Sequence, residues 1–208
     1  MAGPGRIETG VRDGHDCVKV GLISDSHIPS AMRTLPEQVF HAFRDVELIL
    51  HAGDIYAASA LDHLEQLAPV LAVGDATDQA IGQPRVEWRR VVAIQGVHIG
   101  MVHKLDLPGI PGDVFPGMIA KEMTPSATMD DAMRRVFGRT VQVCVFGDTH
   151  HELLEWHEGV LVINPGSPTL PRQMMRLGTV ATLDITGAGV SAELHQLNDY
   201  PGALPRYH

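Results

Sequence analysis

Apolar residues in this chain fall into short runs, and the spacing between the runs changes partway along. VKVGLIS (18–24), VELILHAGD (46–54) and PVLAVGD (69–75) have the length and branched content of buried strands. Between the first two, the pattern predicts a helix over Leu35–Arg44, with Thr34 as N-cap, Pro36 in the first turn and Glu37 three residues on. Between the second and third, ASALDHLEQLA repeats apolar residues at Leu61, Leu64 and Leu67, a helical spacing. Strand, helix, strand, helix, strand argues a parallel sheet with crossover helices.

After Asp75 the rhythm shifts. VEWRRVVAI and VHIGMVH are separated only by Gln95 and Gly96, a hairpin spacing. A stretch at 105–124, rich in proline and glycine, has no period. Stretches of that length are usually functional or mobile, so it is a lid, an oligomer contact or a structureless surface excursion. The helix SATMDDAMRRVFG follows, opened by Thr124 or Ser126 and closed at Gly138. VQVCVFGD resumes the sheet, and WHEGVLVIN, GTVATLDI and SAELHQL are closely spaced strands. The expected fold is α/β: a four-layer α/β/β/α sandwich of two mixed sheets flanked by helices. It would form one domain over 18–208 behind a flexible lead-in at 1–17.

Composition narrows the function. A formal net charge of -9 over 208 residues argues against binding bulk nucleic acid or an anionic membrane. No apolar run approaches the roughly 18–20 residues that span a bilayer. The opening MAGPGRIETGVRDGHD lacks the apolar core of a secretory signal, so a cytoplasmic protein is expected. Cys17 and Cys144 are too few for a disulfide framework, and Cys144, inside VQVCVF, reads as a buried free thiol.

The candidate chemistry sits where the apolar runs end. LISDSH delivers Asp25 and His27, HAGD delivers Asp54, AVGD Asp75, MVH His103, FGDTH Asp148 and His150, and VINPGS begins at Asn164. In open α/β sheets the ligand crevice lies beyond the carboxyl ends of the strands. Carboxylates and imidazoles gathered on one rim are what a divalent metal centre requires. Asp25 and His27 project to the same side of an extended segment, and Asp54 and His150 can complete a four-ligand site. A carboxylate can also bridge two ions, with His103, Asp75 and Asp148 furnishing the second.

In order and spacing these segments resemble the calcineurin-like metallophosphoesterase superfamily, in its compact bacterial and archaeal phosphodiesterase branch. The family order is D-x-H, G-D, G-N-x-D, H and G-H-x-H. Here stand DSH at 25–27, GD at 53–54, GDATD at 74–78, His103 and GDTH at 147–150, with VINPGSPTLPR (162–172) like the branch's closing segment. The resemblance covers Val18 to about His195. It implies that Asp25, His27 and His150 bind a first metal, that Asp54 bridges, and that His103 binds a second. It implies two divalent ions, Mn²⁺ foremost with Fe²⁺, Mg²⁺, Ni²⁺ or Zn²⁺ as alternatives, and a bridging water or hydroxide that attacks phosphorus in line.

Two positions depart from the family, and both put acid at the second metal. Asp75 stands for the family Asn if Gly74 matches its Gly; an ungapped alignment puts Ala76 there and pairs Asp78 with the family acid. Asp75 is the preferred reading because Ala76 cannot coordinate. Asp148 replaces the first His of G-H-x-H. Four carboxylates, Asp25, Asp54, Asp75 and Asp148, about cancel two divalent cations, so singly charged diesters are expected over monoester dianions. Ala76 and Thr77 stand where larger relatives carry a candidate general acid, which predicts better rates on aryl esters.

Other residues carry blander expectations. His51 reads as packed or supporting, and His98, His157 and His195 as solvent-facing strand positions. His151 and Asn164 are candidate substrate contacts, and Met174, Met175 and Leu177 are packing residues. Gly53, Gly74 and Gly147 are expected to permit a special backbone angle or a close approach. The leading expectation is a cytoplasmic metal-dependent phosphodiesterase acting on a small diester, possible also as a homo-oligomer. The alternatives are a scaffold or binding protein on the same fold, like the superfamily's retromer scaffold subunit, and an enzyme working with a single tightly bound metal.

Overall fold

A computed structural model describes residues 17–170 and 176–202. The lead-in, apart from Cys17, lies outside the described residues, as do Met174 and Met175. In chain order the elements are β1 (Cys17–Ile23), α1 (Glu37–Ala42), β2 (Leu48–His51), α2 (Ala58–Leu64), β3 (Val70–Val73), α3 (Ala76–Gln79), β4 (Val86–Glu87), β5 (Arg89–Ile94) and β6 (Val97–Val102). There follow α4 (Met118–Glu122), α5 (Met129–Phe137), β7 (Val143–Val145), β8 (Leu153–His157), β9 (Val160–Asn164), β10 (Thr179–Thr186) and β11 (Gly189–Gln196).

These strands make two mixed sheets. The first runs β11-β10-β1-β2-β3-β4, with β1 to β4 parallel and β10 antiparallel to β1. The second runs β5-β6-β7-β9-β8, with β6, β7 and β9 parallel. Side chains alternate across a strand, so each sheet buries two faces. Val20, Leu22 and Leu50 of the first sheet meet Ile99, Met101, Val145 and Ile163 of the second in one apolar cluster. On the outer face of the first sheet, Ile49 packs with Val39 and Phe43 of the α1 region and with Leu61 and Leu64 of α2. On the outer face of the second, Cys144, Phe146 and Val162 pack with Met129, Met133 and Phe137 of α5. The expected four layers result. Burial pushes the Cys144 thiol up to about 12, in keeping with a buried free thiol. Among the described residues no helix is long and apolar enough to cross a membrane.

Several local expectations are corrected. The run VEWRRVVAI is two strands: β4 closes the first sheet, Trp88 stands exposed at the break, and β5 opens the second. Both segments are extended, so periodicity cannot register that the chain changes sheets between them. α1 starts at Glu37 behind Pro36, with no side-chain cap, rather than at Thr34. α5 opens at Thr128, not at Thr124 or Ser126. There the Thr128 hydroxyl accepts the Asp131 N–H at 3.1 Å while Glu158 accepts the Met129 N–H at 2.8 Å, so two end donors are met only in this register. The 105–124 stretch is not structureless: it contains α4 and buries Leu105, Leu107, Ile110, Val114 and Ile119 against α5 and the second sheet. His98, His157 and His195 do not face open solvent. Each is half-buried and bonded to a neighbouring side chain, respectively Arg139, Glu155 and Thr182 with Tyr200.

Candidate metal centre

The parallel strands of both sheets end on one rim. β1 delivers Asp25 and His27, β2 Asp54, β3 Asp75, the following α3 Asp78, β6 His103, and β7 Asp148 with His150. Backbone hydrogen bonds lace these ends together. Asp25 N–H donates to the Gly53 carbonyl at 2.8 Å, His27 N–H to Asp54 at 2.9 Å, and Gly147 N–H to His103 at 2.9 Å. The Asp148 N–H donates to Asp25 Oδ1 across the two sheets at 3.1 Å.

The structure brings Asp25, His27, Asp54 and His150 together, one possible ligand atom from each lying within 4.8 Å of the others. His27 Nε2 is 3.2 Å from Asp54 Oδ2 and 3.1 Å from His150 Nε2, and His150 Nε2 is 3.6 Å from Asp25 Oδ1. Asp25 is fully buried, and its Oδ2 has no hydrogen-bond partner. Leaving a buried carboxylate oxygen unpaired is costly. A divalent cation among two carboxylates and two imidazoles answers that cost, so the donor set fits a metal ion.

Electrostatics follow the burial. Desolvation pushes the Asp25 carboxyl up to about 7. Burial would also raise Asp54, but the His27 hydrogen bond and the His103 charge outweigh it and hold Asp54 below its ordinary value. Burial, then the charge of His27, lowers His150.

The backbone is bent to make this cluster. Asp25, His27, Asp54, Asp148 and His150 have φ of 52°, 46°, 54°, 71° and 57°, all in the left-handed region. Such conformations cost about 1–2 kcal/mol per residue and gather at functional sites. All three flagged glycines have steric reasons, and at Gly74 a Cβ would strike the Asp78 side chain. Gly53, at φ 103°, faces the His103 ring, which a Cβ would strike. At Gly147 a Cβ would meet the Ser24 hydroxyl and stand 2.9 Å from both the Ala52 carbonyl and Asp25 Oδ2.

Buried polar side chains hold the bends in place. His51 is fully buried, which pushes its imidazole down to about 3. It accepts the Gly53 N–H on Nδ1 and meets the Ser26 hydroxyl on Nε2 at 2.9 Å, tying the first two strand-end loops together. Asp78 accepts the N–H groups of Asp54 at 2.8 Å, Ile55 at 2.8 Å and Tyr56 at 3.2 Å. It thereby fixes the loop that carries Asp54. Sequence reasoning passed Asp78 over in favour of Asp75; the ungapped alignment was the signal that marked it. Asn164 also needs correcting. It is fully buried, its amide donates to the Gly147 carbonyl and the Thr149 hydroxyl, and its oxygen accepts the Gly166 N–H. It braces the GDTH loop and has no exposed surface to offer a substrate.

The remaining candidates are more scattered. Asp75 is exposed and caps α3, its Oδ1 accepting the N–H groups of Thr77 and Asp78. It lies with Asp54 and Asp78 in a second group of acids. His103 Nδ1 donates to the Ala52 carbonyl at 2.8 Å, which turns its Nε2 toward Asp54 Oδ1 at 3.6 Å and Asp148 Oδ1 at 4.0 Å. The other Asp148 oxygen meets Lys104 Nζ at 3.0 Å, and Lys104 reaches Asp113 at 2.7 Å. His151 packs edge-on against Phe115, ring centres 4.9 Å apart. Tyr56, which the sequence did not single out, packs edge-on against His27 at 4.7 Å.

Residues 18–188 match the calcineurin-like phosphoesterase superfamily domain. A probable metallophosphoesterase from Methanothermobacter thermautotrophicus is 36% identical over 179 residues, 84% of this chain and 90% of that protein. Among solved structures, vacuolar protein sorting 29 from Cryptosporidium parvum is similar at TM-score 0.62 and 18% identity, over 87% of this chain and 98% of that one. A structure described as a novel archaeal phosphodiesterase is similar at TM-score 0.57 and 19% identity, over 86% of this chain and 100% of that one. At those identities the last two speak to the fold alone.

Proposed function

The chain belongs to the calcineurin-like phosphoesterase superfamily, and we propose that it is a metal-dependent phosphoesterase that prefers small phosphodiesters. The observation that carries this reading is the orphaned Oδ2 of Asp25, buried inside a four-residue set with the chemistry of a divalent-ion site. Asp25, His27, Asp54 and His150 would hold the ion, and their mixed set of two carboxylates and two imidazoles accepts Mn²⁺, the working choice, as well as Fe²⁺ or Zn²⁺. What such an ion supplies is Lewis acidity toward phosphoryl oxygens and activation of a water nucleophile for in-line attack.

The chain's own residues set the geometry. His27 and His150 present neighbouring nitrogens, and Asp54 lies between that pair and His103, placed to serve both sides. The preference for diesters rests on charge. Asp54, Asp75 and Asp148 keep exposed surface at the centre, and a monoester dianion meets more repulsion there than a singly charged diester. With no imidazole at Ala76 or Thr77 to protonate a leaving group, aryl esters should turn over fastest.

The test is metal-free protein assayed on bis(p-nitrophenyl) phosphate with added Mn²⁺, beside Asp54→Asn. Metal-dependent turnover lost in the variant is expected, with kcat/KM higher than for p-nitrophenyl phosphate. A monoester preference would remove the diester reading. No turnover with any divalent ion would favour a binding protein on this fold.

A further inference from the structure

The second half of the centre lacks the compact donor set of the first. Among the described residues, the groups of three or more candidate ligands are the four-residue set and the acids Asp54, Asp75 and Asp78. Those acids are largely committed to the backbone. Asp78 uses both oxygens on three N–H groups, and Asp75 uses Oδ1 on two. His103 and Asp148 remain, 4.0 Å apart, but the far oxygen of Asp148 is held at 3.0 Å by the Lys104 ammonium. Lys104 is also held by Asp113 at 2.7 Å, on the 105–124 stretch that packs onto the second sheet.

Resting on the functional reading above, we propose that Lys104 is a built-in cation in place of a second metal ion: the chain holds one divalent ion, and the Lys104 ammonium supplies the second positive charge toward the phosphodiester. The replacement is consistent with the residues around it. Asp148 provides a carboxylate, which forms an ion pair with an ammonium, where the related motif has a neutral imidazole, which offers it no opposite charge. An ammonium donates to a phosphate oxygen as a point charge and needs no coordination shell. Its single charge also suits a diester better than a dianion. Asp113 holds the flexible lysine stem at the site, so the 105–124 stretch contributes by positioning this charge.

Metal-free protein titrated with Mn²⁺, with ion counts from equilibrium dialysis and electron paramagnetic resonance, tests the assignment. Wild type is expected to take up one ion per chain with an uncoupled spectrum, and Lys104→Met two ions with a spin-coupled one. Asp113→Asn, which leaves the lysine less tightly held, should fall between them. At one ion per chain, KM for bis(p-nitrophenyl) phosphate should rise about tenfold in Lys104→Met, the scale of one hydrogen bond to a charged group, and recover in Lys104→Arg. Two ions in wild type, one ion in both proteins, or an unchanged KM would each overturn the lysine assignment while leaving the phosphoesterase reading intact. No ion bound to wild type would overturn that reading itself.

Discussion

The two halves of this centre are built from the same materials and fastened differently. In the first, Asp25 is fully buried, and the loops carrying Asp25, His27 and Asp54 are tied by Ser26, His51 and Asp78. In the second, Asp75 is exposed, Asp148 keeps 28% of its side-chain surface, and Lys104 keeps 57%. Preorganised ligands hold an ion because few side-chain rotations are lost on binding. The first half should therefore be specific and intolerant of change, and the second tunable.

The strongest way to break that comparison is at Asp54, which the two halves share. Asp54→Asn should lower Mn²⁺-dependent turnover by more than ~100-fold, beyond the range for removing a supporting residue; a milder loss would mean that the halves work independently. Asp78→Asn comes next. It replaces one of two accepting oxygens with a donor facing backbone N–H groups, so Mn²⁺ affinity should fall ~10–100-fold. Calorimetric titration checks this, and a matching loss of ~1–3 kcal/mol is expected in chemical unfolding. Gly147→Ala should cost ~1–3 kcal/mol from overpacking against Ser24, Ala52 and Asp25, read as a lower denaturation midpoint. Asp75→Ala should do least. It should lose ~1 kcal/mol as the α3 cap goes, with the Mn²⁺ count unchanged, and a lost ion would make Asp75 a true ligand.

Legibility in the sequence divided along the same line. Residues that end buried strands were visible because an apolar run stops at them, and that was enough to find Asp25, His27, Asp54, His103, Asp148 and His150. The two sheets could be read from the change of spacing after Asp75. What stayed hidden acts through the backbone or through space. Asp78 and Asn164 serve N–H and carbonyl groups that leave no trace in a side-chain pattern. Lys104 follows a candidate ligand and carries no signal of its own, because its meaning depends on Asp113 nine residues on and on Asp148 beyond another strand. The crossing at Trp88 was invisible because both flanking segments are extended.

The left-handed bends at Asp25, His27, Asp54, Asp148 and His150 give this motif a second reason to persist. Asn, Asp and His are the non-glycine residues most tolerant of that conformation, so the loop shape narrows the alphabet to nearly the same letters that coordination does. A descendant that stopped binding metal could keep the signature simply to keep its loops folded, and motif retention alone is therefore a poor diagnostic of activity in this family. It also follows that alanine scanning here confounds two losses. Asparagine is the cleaner substitution for the acids, since it removes the carboxylate charge while letting the chain turn as before.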